Sequence, residues 1–114
     1  MDKREAVTLA KQYAQAVAQE LNPDKIVLYG STVNGTRRDD SDIDVAVIFN
    51  EFNGDWLKTS VRLSMLRTGI SYEIEPLLRV TSKDRSGFVK EILRTGEVLY
   101  ERDSANSEIP LKDT

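Results

Sequence analysis

The sequence predicts an α/β domain, of the α+β kind, in which a small mixed sheet is flanked by helices. Residues 3–21 place apolar side chains at helical spacing, residues 26–29 form an uninterrupted apolar run, and residues 42–49 alternate between two faces as a strand does. A chain of 114 residues is enough for one compact unit. We therefore expect a single domain over residues 1–102 and a polar, flexible tail over residues 103–114.

The first predicted element is an amphipathic helix over residues 3–21. Its apolar face is made of six side chains at helical spacing, namely Ala6, Ala10, Tyr13, Ala14, Val17 and Leu21. Asn22 and Pro23 end the helix. The run of residues 26–29 follows, and a strand without polar side chains is typical of a sheet position that is buried on both faces.

A polar loop and a second strand come next. Residues 30–41 are rich in Gly, Ser, Thr, Asn, Arg and Asp, which predicts a loop with room for one helical turn. Residues 42–49 then predict a strand with two distinct faces. One face carries Ile43, Val45, Val47 and Phe49, and the other carries Asp42, Asp44, Ala46 and Ile48.

A second long helix is predicted over residues 56–67, after a turn that contains Gly54. Four apolar side chains recur within it, and their spacing predicts that they face the core: Leu57, Val61, Met65 and Leu66. Gly69 ends this helix, because glycine readily adopts the left-handed conformation that closes many helices.

The last third of the chain predicts one more strand and one more helix. Residues 71–80 form the third strand candidate, and Pro76 within them indicates the edge of a sheet or an irregularity. Residues 84–95 predict a helix with Gly96 as its C-cap. Residues 98–100 form a short apolar element after it. The predicted sheet therefore has three strands.

The composition excludes several kinds of chemistry. The chain has no cysteine and no histidine, so disulfides, thiolate nucleophiles and Ser-His triads are excluded. Any metal must be held by oxygen, which favours hard cations such as Mg²⁺. A net charge of -3 argues against direct binding of a long nucleic acid. No apolar run is long enough for a signal peptide or a membrane span, so a cytoplasmic location is expected.

Two carboxylates begin the strand of residues 42–49. Asp42 and Asp44 leave the same face, with backbones roughly 7 Å apart. Carboxylates this close repel unless a cation or a proton lies between them. Mg²⁺ is a suitable partner, because it binds one or two carboxylates together with substrate phosphates. The alternative is a plain acidic strand start, which is the commoner reason for an isolated Asp-x-Asp pattern.

A glycine and a serine follow the buried strand of residues 26–29. Gly30 lets the backbone approach a ligand closely, and a helical turn that begins at Ser31 directs its N–H groups toward a phosphate. Alone, this pair is most often an ordinary turn. Together with Asp42 and Asp44, the Gly30-Ser31 pair predicts a combined site. The turn offers hydrogen-bond donors for phosphates, and the strand offers oxygen ligands for the cation that bridges them.

These residues carry a resemblance to a known family. The run GSTVNGTRRDDSDIDVAVIF, which begins at Gly30 and includes Asp42 and Asp44, resembles the signature of the DNA polymerase beta-type nucleotidyltransferase superfamily. Within it, the run is similar to the smallest branch, the minimal nucleotidyltransferases that act as MntA-type antitoxins. YEIEPLL at residues 72–78 and EILRTGEVLYE at residues 91–101 continue the likeness.

The resemblance implies a fold of the nucleotidyltransferase kind and a mechanism that depends on two Mg²⁺ ions. Asp42, Asp44 and a third acid would hold the ions, which stabilise in-line displacement at the alpha phosphate of ATP. Gly30 and Ser31 would bind the distal phosphates. Arg38 would neutralise phosphate charge, and a solvated loop arginine is the alternative for that residue.

The third acid is Glu73 or Glu75. Both belong to the predicted strand of residues 71–80 and share a face, so strand parity does not choose between them. Matching the family pattern selects Glu73, where the branch more often has aspartate, and leaves Glu75 in reserve. The alternative for either one is a rim glutamate paired with Arg79 or Lys58.

The resemblance also implies a partner. Members of this branch are similar to antitoxins that transfer AMP to a tyrosine of a HEPN-domain toxin, so a hetero-oligomer with such a toxin is expected. Two alternatives stay open: an antitoxin that neutralises its toxin by binding alone, and an enzyme that modifies a small molecule such as an aminoglycoside. The sequence departs from the branch at Thr32, where many relatives have arginine, and at Asp39, where proline is common.

Overall fold

A computed structural model describes residues 2–35 and 42–102, so the predicted tail lies outside the described residues. The helices are α1 (Lys3–Leu21), α2 (Ser31–Asn34), α3 (Trp56–Arg67) and α4 (Phe88–Thr95), and the strands are β1 (Lys25–Tyr29), β2 (Ile43–Phe49), β3 (Ile74–Val80) and β4 (Glu97–Glu101). The predicted α/β class is confirmed. None of the helices in these two ranges is both long and apolar enough to cross a membrane.

The four strands form one mixed sheet in the order β3-β2-β1-β4. β1 is antiparallel to β2 and to β4, whereas β2 and β3 are parallel. A parallel pair needs a crossover connection, and α3 supplies it. β2 and β3 therefore begin at the same end of the sheet, close to Asp42 and Glu73. β3 is an edge strand, as Pro76 predicted.

Apolar layers form on both faces of the sheet. On one face, α1 and α3 pack against Ile26 of β1 and alternate residues of β2. On the other face, α4 packs against Val27 of β1 and against Ala46 and Ile48 of β2. The burial of β1 on both faces, predicted from its apolar run, is confirmed. The predicted core face of α1 is also confirmed, except that Leu21 is only half-buried.

A buried hydroxyl connects α1 to α3. The Tyr13 hydroxyl is buried and donates a hydrogen bond of 2.7 Å to the carbonyl of Leu63. Burial raises the pKa of Tyr13 far above its ordinary value, although the charge of Arg67 acts in the opposite direction. The hydroxyl therefore keeps its proton at neutral pH and remains a donor.

The substitution Tyr13→Phe is expected to lower the free energy of unfolding by about 1 kcal/mol, because one buried hydrogen bond is lost while the ring still packs. Urea denaturation measures this change. Tyr100→Phe is the control, since the Tyr100 hydroxyl donates at 2.8 Å to the side chain of Asn22, which is exposed. Equal losses in the two variants would contradict the prediction.

The predicted core face of α3 is largely wrong. Leu57, Val61 and Met65 are 72%, 49% and 54% exposed. The core is contacted instead by Leu63, which is buried, and by Leu66, which is half-buried. Of the four predicted positions, only Leu66 faces inward. The error arises because α3 carries apolar side chains on opposite sides, and spacing alone does not say which side meets the sheet.

The C-terminal third also differs from the prediction. Residues 98–100 lie in β4, which pairs with β1, so the sheet within the described residues has four strands rather than the predicted three. β3 begins at Ile74, which leaves Glu73 just before the strand instead of within it. α4 begins at Phe88, later than predicted, because a 3-10 turn over Thr81–Lys83 and a bend separate it from β3.

Candidate active site

Gly30 and Asp44 meet at the centre of the candidate site. Gly30 has φ 80° and ψ -149°, a conformation that is essentially restricted to glycine. A Cβ atom at this position would overlap the Asp44 carboxylate and lie 3.2 Å from its Cγ. Glycine is therefore required here for two reasons, backbone conformation and space. The close approach fixes the end of β1 against the acidic start of β2.

The predicted helical turn begins at Ser31 and is confirmed as α2. The Gly30 carbonyl accepts hydrogen bonds from the N–H groups of Val33 and Asn34 at 3.1 and 3.0 Å. Gly35, with φ 81°, ends the turn. Because Ser31 follows Gly30 directly, α2 begins one residue after the position that adjoins the Asp44 carboxylate.

Four acidic residues lie where β2 and β3 begin. Asp42 directly precedes β2 and is exposed, whereas Asp44 is half-buried. The N–H of Ile43 donates to the Glu73 carbonyl at 2.8 Å, so Glu73 adjoins the Asp42 end of the strand. In the parallel register, Asp44 lies opposite Glu75. Each aspartate thus has a glutamate on the neighbouring chain segment.

The two glutamates have different surroundings. Glu75 pairs with Arg67, whose Nη1 lies 3.5 Å from Oε2 of Glu75 and also donates to the Ile74 carbonyl at 2.7 Å. Glu73 is half-buried, and it forms no ion pair with another residue of the described ranges. Arg67, rather than the expected Arg79 or Lys58, is the partner of Glu75.

The predicted metal ligands are brought to one end of the sheet without converging on a point. Within residues 2–35 and 42–102, no group of three acidic side chains is close enough to hold a metal ion. Arg38, predicted to neutralise phosphate charge, lies outside the described residues. The side chains of Asp42, Asp44 and Glu73 offer only oxygen ligands, which is the donor set that Mg²⁺ requires.

Tyr29 borders the acids and was not predicted as a site residue. It lies opposite Asp44 in the β1–β2 register. Burial raises the pKa of Tyr29 above its ordinary value; the Asp44 and Glu75 carboxylates raise it further, and Arg79 opposes them. Its ring meets the Phe88 ring edge-on at 5.8 Å. Strand parity alone could not identify Tyr29, because its position opposite Asp44 depends on the register between two strands.

The sequence of residues 11–105 matches a family described as "Polymerase beta, Nucleotidyltransferase". That span is most of the chain. The chain belongs to this nucleotidyltransferase family. A comparison with curated proteins found no match to the sequence.

Two solved structures resemble this nucleotidyltransferase, each with a TM-score of 0.60. One is the 1.40 Å crystal structure of a Sulfolobus solfataricus protein described as a nucleotidyltransferase; it is 20% identical, and the match covers 88% of this chain and 84% of that chain. The other is a chain of a toxin-antitoxin structure with AMP-PNP; it is 17% identical, and the match covers 90% of this chain and 82% of that chain. At such low identities the likeness shows the fold alone.

Proposed function

We propose that this nucleotidyltransferase transfers AMP from ATP to a hydroxyl group of a partner protein, and that the partner is a HEPN-domain toxin which it neutralises. The contact between Gly30 and the Asp44 carboxylate carries the proposal. Through this contact, a helical turn that begins at Ser31 lies side by side with an acidic strand start. A triphosphate bound together with a cation needs both kinds of group next to each other.

Each residue of the site has a role in this proposal. The carboxylates of Asp42, Asp44 and Glu73 would hold two Mg²⁺ ions, and Ser31 with the backbone around Gly30 would bind the distal phosphates. When bound, the ions stabilise the charge that develops during displacement at the alpha phosphate. Arg38 is proposed to neutralise part of the phosphate charge.

The proposed reaction is an in-line displacement. The acceptor oxygen forms a bond to the alpha phosphorus, the bond from that phosphorus to the bridging oxygen breaks, and pyrophosphate leaves with the electron pair. The proton of the acceptor hydroxyl needs a base, and this chain has no histidine. A carboxylate of the site takes the proton, and Glu73 is the proposed base because it has no ion-pair partner within the described ranges.

The choice of a toxin as partner is supported by two observations. One structural neighbour is a chain of a toxin-antitoxin structure that contains AMP-PNP, an analogue of ATP. The net charge of -3 also disfavours a long nucleic acid as acceptor. The HEPN class of the toxin follows from the resemblance of the run that begins at Gly30. Transfer is proposed to occur in the cytoplasm, where ATP and Mg²⁺ are available.

Intact mass spectrometry of the toxin tests the proposal. The full chain is mixed with its toxin, ATP and Mg²⁺, and we expect the toxin to gain the mass of one or more AMP groups. A chelator added before ATP is expected to prevent the gain. A toxin that co-purifies with the chain but gains no mass would support the second candidate function instead, neutralisation by binding alone.

The third acid can be identified by comparing two conservative substitutions. Glu73→Gln is expected to slow AMP transfer by about 100-fold or more, because a metal ligand and proton acceptor is lost. Glu75→Gln is expected to slow it by less than about 5-fold, because that carboxylate already pairs with Arg67. Initial rates at saturating ATP measure both effects, with thermal unfolding as the check on folding. The reverse order would assign the role to Glu75.

A further inference from the structure

A basic pocket of about 380 Å³ lies at the end of β3 that is farther from the acids. Arg79, Lys83 and Arg85 line it together with the indole of Trp56 and the residue Ser86. We call these five residues the basic pocket. Lys83 and Arg85 are exposed, and Arg79 is half-buried. The pocket is therefore open to a ligand from solution.

The positive charge of the basic pocket is not balanced from within the described chain. Arg79, Lys83 and Arg85 form no ion pair with any residue in the described ranges. Asp84 also lines the pocket, but its Oδ2 accepts a hydrogen bond of 3.2 Å from the N–H of Lys90. Three positively charged side chains beside one carboxylate make this region locally basic, although the chain as a whole has a net charge of -3. The pocket is suited to an anionic group.

Side-chain contacts connect the basic pocket to the candidate active site. The Arg79 guanidinium lies over the Phe88 ring, 5.3 Å from its centroid, and the Phe88 ring meets the Tyr29 ring. Tyr29 lies opposite Asp44. Along β3, the four steps from Glu75, which lies opposite Asp44, to Arg79 span about 13 Å. A short extended peptide reaches from one site to the other.

We propose that the basic pocket binds acidic side chains of the protein segment that presents the acceptor hydroxyl. This inference rests on the proposed function, because the pocket matters for transfer only if the acceptor belongs to a protein. The ligand is an acidic peptide whose carboxylates lie about four residues from the modified residue. The Trp56 indole offers an apolar surface beside those carboxylates, a combination that is common at protein interfaces.

The size and setting of the basic pocket favour a peptide over a nucleic acid. A cavity of about 380 Å³ has room for one or two side chains. Proteins that bind a nucleic acid neutralise several successive phosphates along an extended basic surface, whereas the opposite end of this sheet carries Asp42, Asp44, Glu73 and Glu75. The acidic cluster would repel an extended polyanion, whereas a ligand whose negative charge is confined to the basic pocket avoids it.

Trp56 provides a direct measurement, because it is the only tryptophan of the chain. The full chain is titrated with a synthetic peptide that has one tyrosine and two glutamates about four residues away, and tryptophan fluorescence is excited selectively. A matched peptide has glutamines in place of the glutamates. We expect saturable binding of the acidic peptide and at least about 10-fold weaker binding of the neutral one. Equal affinities, or tighter binding of a short single-stranded oligonucleotide, would overturn the proposal.

Charge reversal in the basic pocket is a second test of the proposal. Lys83→Glu/Arg85→Glu is expected to weaken binding of the acidic peptide by at least about 10-fold and to leave ATP binding unchanged. Lys3→Glu/Lys11→Glu is the control, because it makes the same change in net charge at exposed positions of α1. Unchanged peptide affinity, or a loss of ATP affinity, would show that the pocket is not an acceptor site.

The failure of this inference is distinguishable from failure of the proposed function. Tryptophan fluorescence detects peptide binding without any transfer of AMP. Binding of the acidic peptide is therefore expected even if the chain only neutralises its toxin by contact. Conversely, a toxin that gains AMP at the same rate with the Lys83→Glu/Arg85→Glu variant would uphold the enzyme and reject the docking site.

Discussion

Replacing Asp44 by asparagine is expected to lower the rate of AMP transfer by at least about 1000-fold while leaving the chain folded. Asparagine has nearly the shape of aspartate, so it still fits against Gly30, where a Cβ would overlap the Asp44 carboxylate. It lacks the negative charge and one of the two oxygens that bind a hard cation. The rate is measured from the mass gain of the toxin, and thermal unfolding shows whether the fold is kept.

The matched control for this prediction is Asp55→Asn. Asp55 caps α3, with its Oδ1 accepting from the N–H of Lys58 at 2.9 Å, and asparagine caps helices about as well as aspartate. The Asp55→Asn variant therefore loses one carboxylate far from the candidate active site and keeps its fold. We expect it to transfer AMP at the original rate. If Asp44→Asn transferred AMP within about 10-fold of the original rate, Asp44 would not be a metal ligand of the reaction.

The substitution Gly30→Ala is expected to lower the free energy of unfolding by about 2 to 4 kcal/mol. A side chain at φ 80° and ψ -149° is strained, and the new Cβ overlaps the Asp44 carboxylate. Both effects act on the same position, so their sum is larger than either one. Chemical denaturation measures the loss, and AMP transfer is expected to fall with it because Asp44 must move.

Gly35→Ala separates the two effects. Gly35 also has a positive φ, 81°, but with ψ 11° it is in the ordinary left-handed region, and a Cβ there meets no atom within 4 Å. A loss of about 1 kcal/mol is expected. The double variant Gly30→Ala/Asp44→Ala should lose less stability than the two single changes added together. Strict additivity would mean that the overlap with Asp44 has no energetic consequence.

The elements that carry the candidate site were predictable because their signals are local. α1 has a clear helical period, β1 is an unbroken apolar run, and β2 alternates along its length. The placement of Gly30 after β1 and of Asp44 in β2 follows from those three elements. Their direct contact did not follow, because it depends on the antiparallel register that sets Tyr29 opposite Asp44.

The errors share a different cause. β4 is five residues long and gains its structure by pairing with β1, which is distant along the chain, so no local period marks it. α3 has apolar side chains on two sides, and only packing against α1 decides that Leu63 is buried and Leu57 is exposed. The basic pocket was missed for the same reason, since Trp56 and Arg79 are brought together only by the crossover from β2 to β3.

The contact between Gly30 and Asp44 bears on how diverged relatives are to be interpreted. A glycine packed against a neighbouring acid stays under the same steric constraint for as long as the acid is kept, whether or not a lineage still turns over ATP. Its retention alone therefore records inherited geometry rather than present catalysis. Once a lineage loses the acid, steric exclusion at the glycine disappears and only the backbone requirement remains. Joint replacement at the two positions is thus a clearer mark of an abandoned enzyme than a change at the glycine alone.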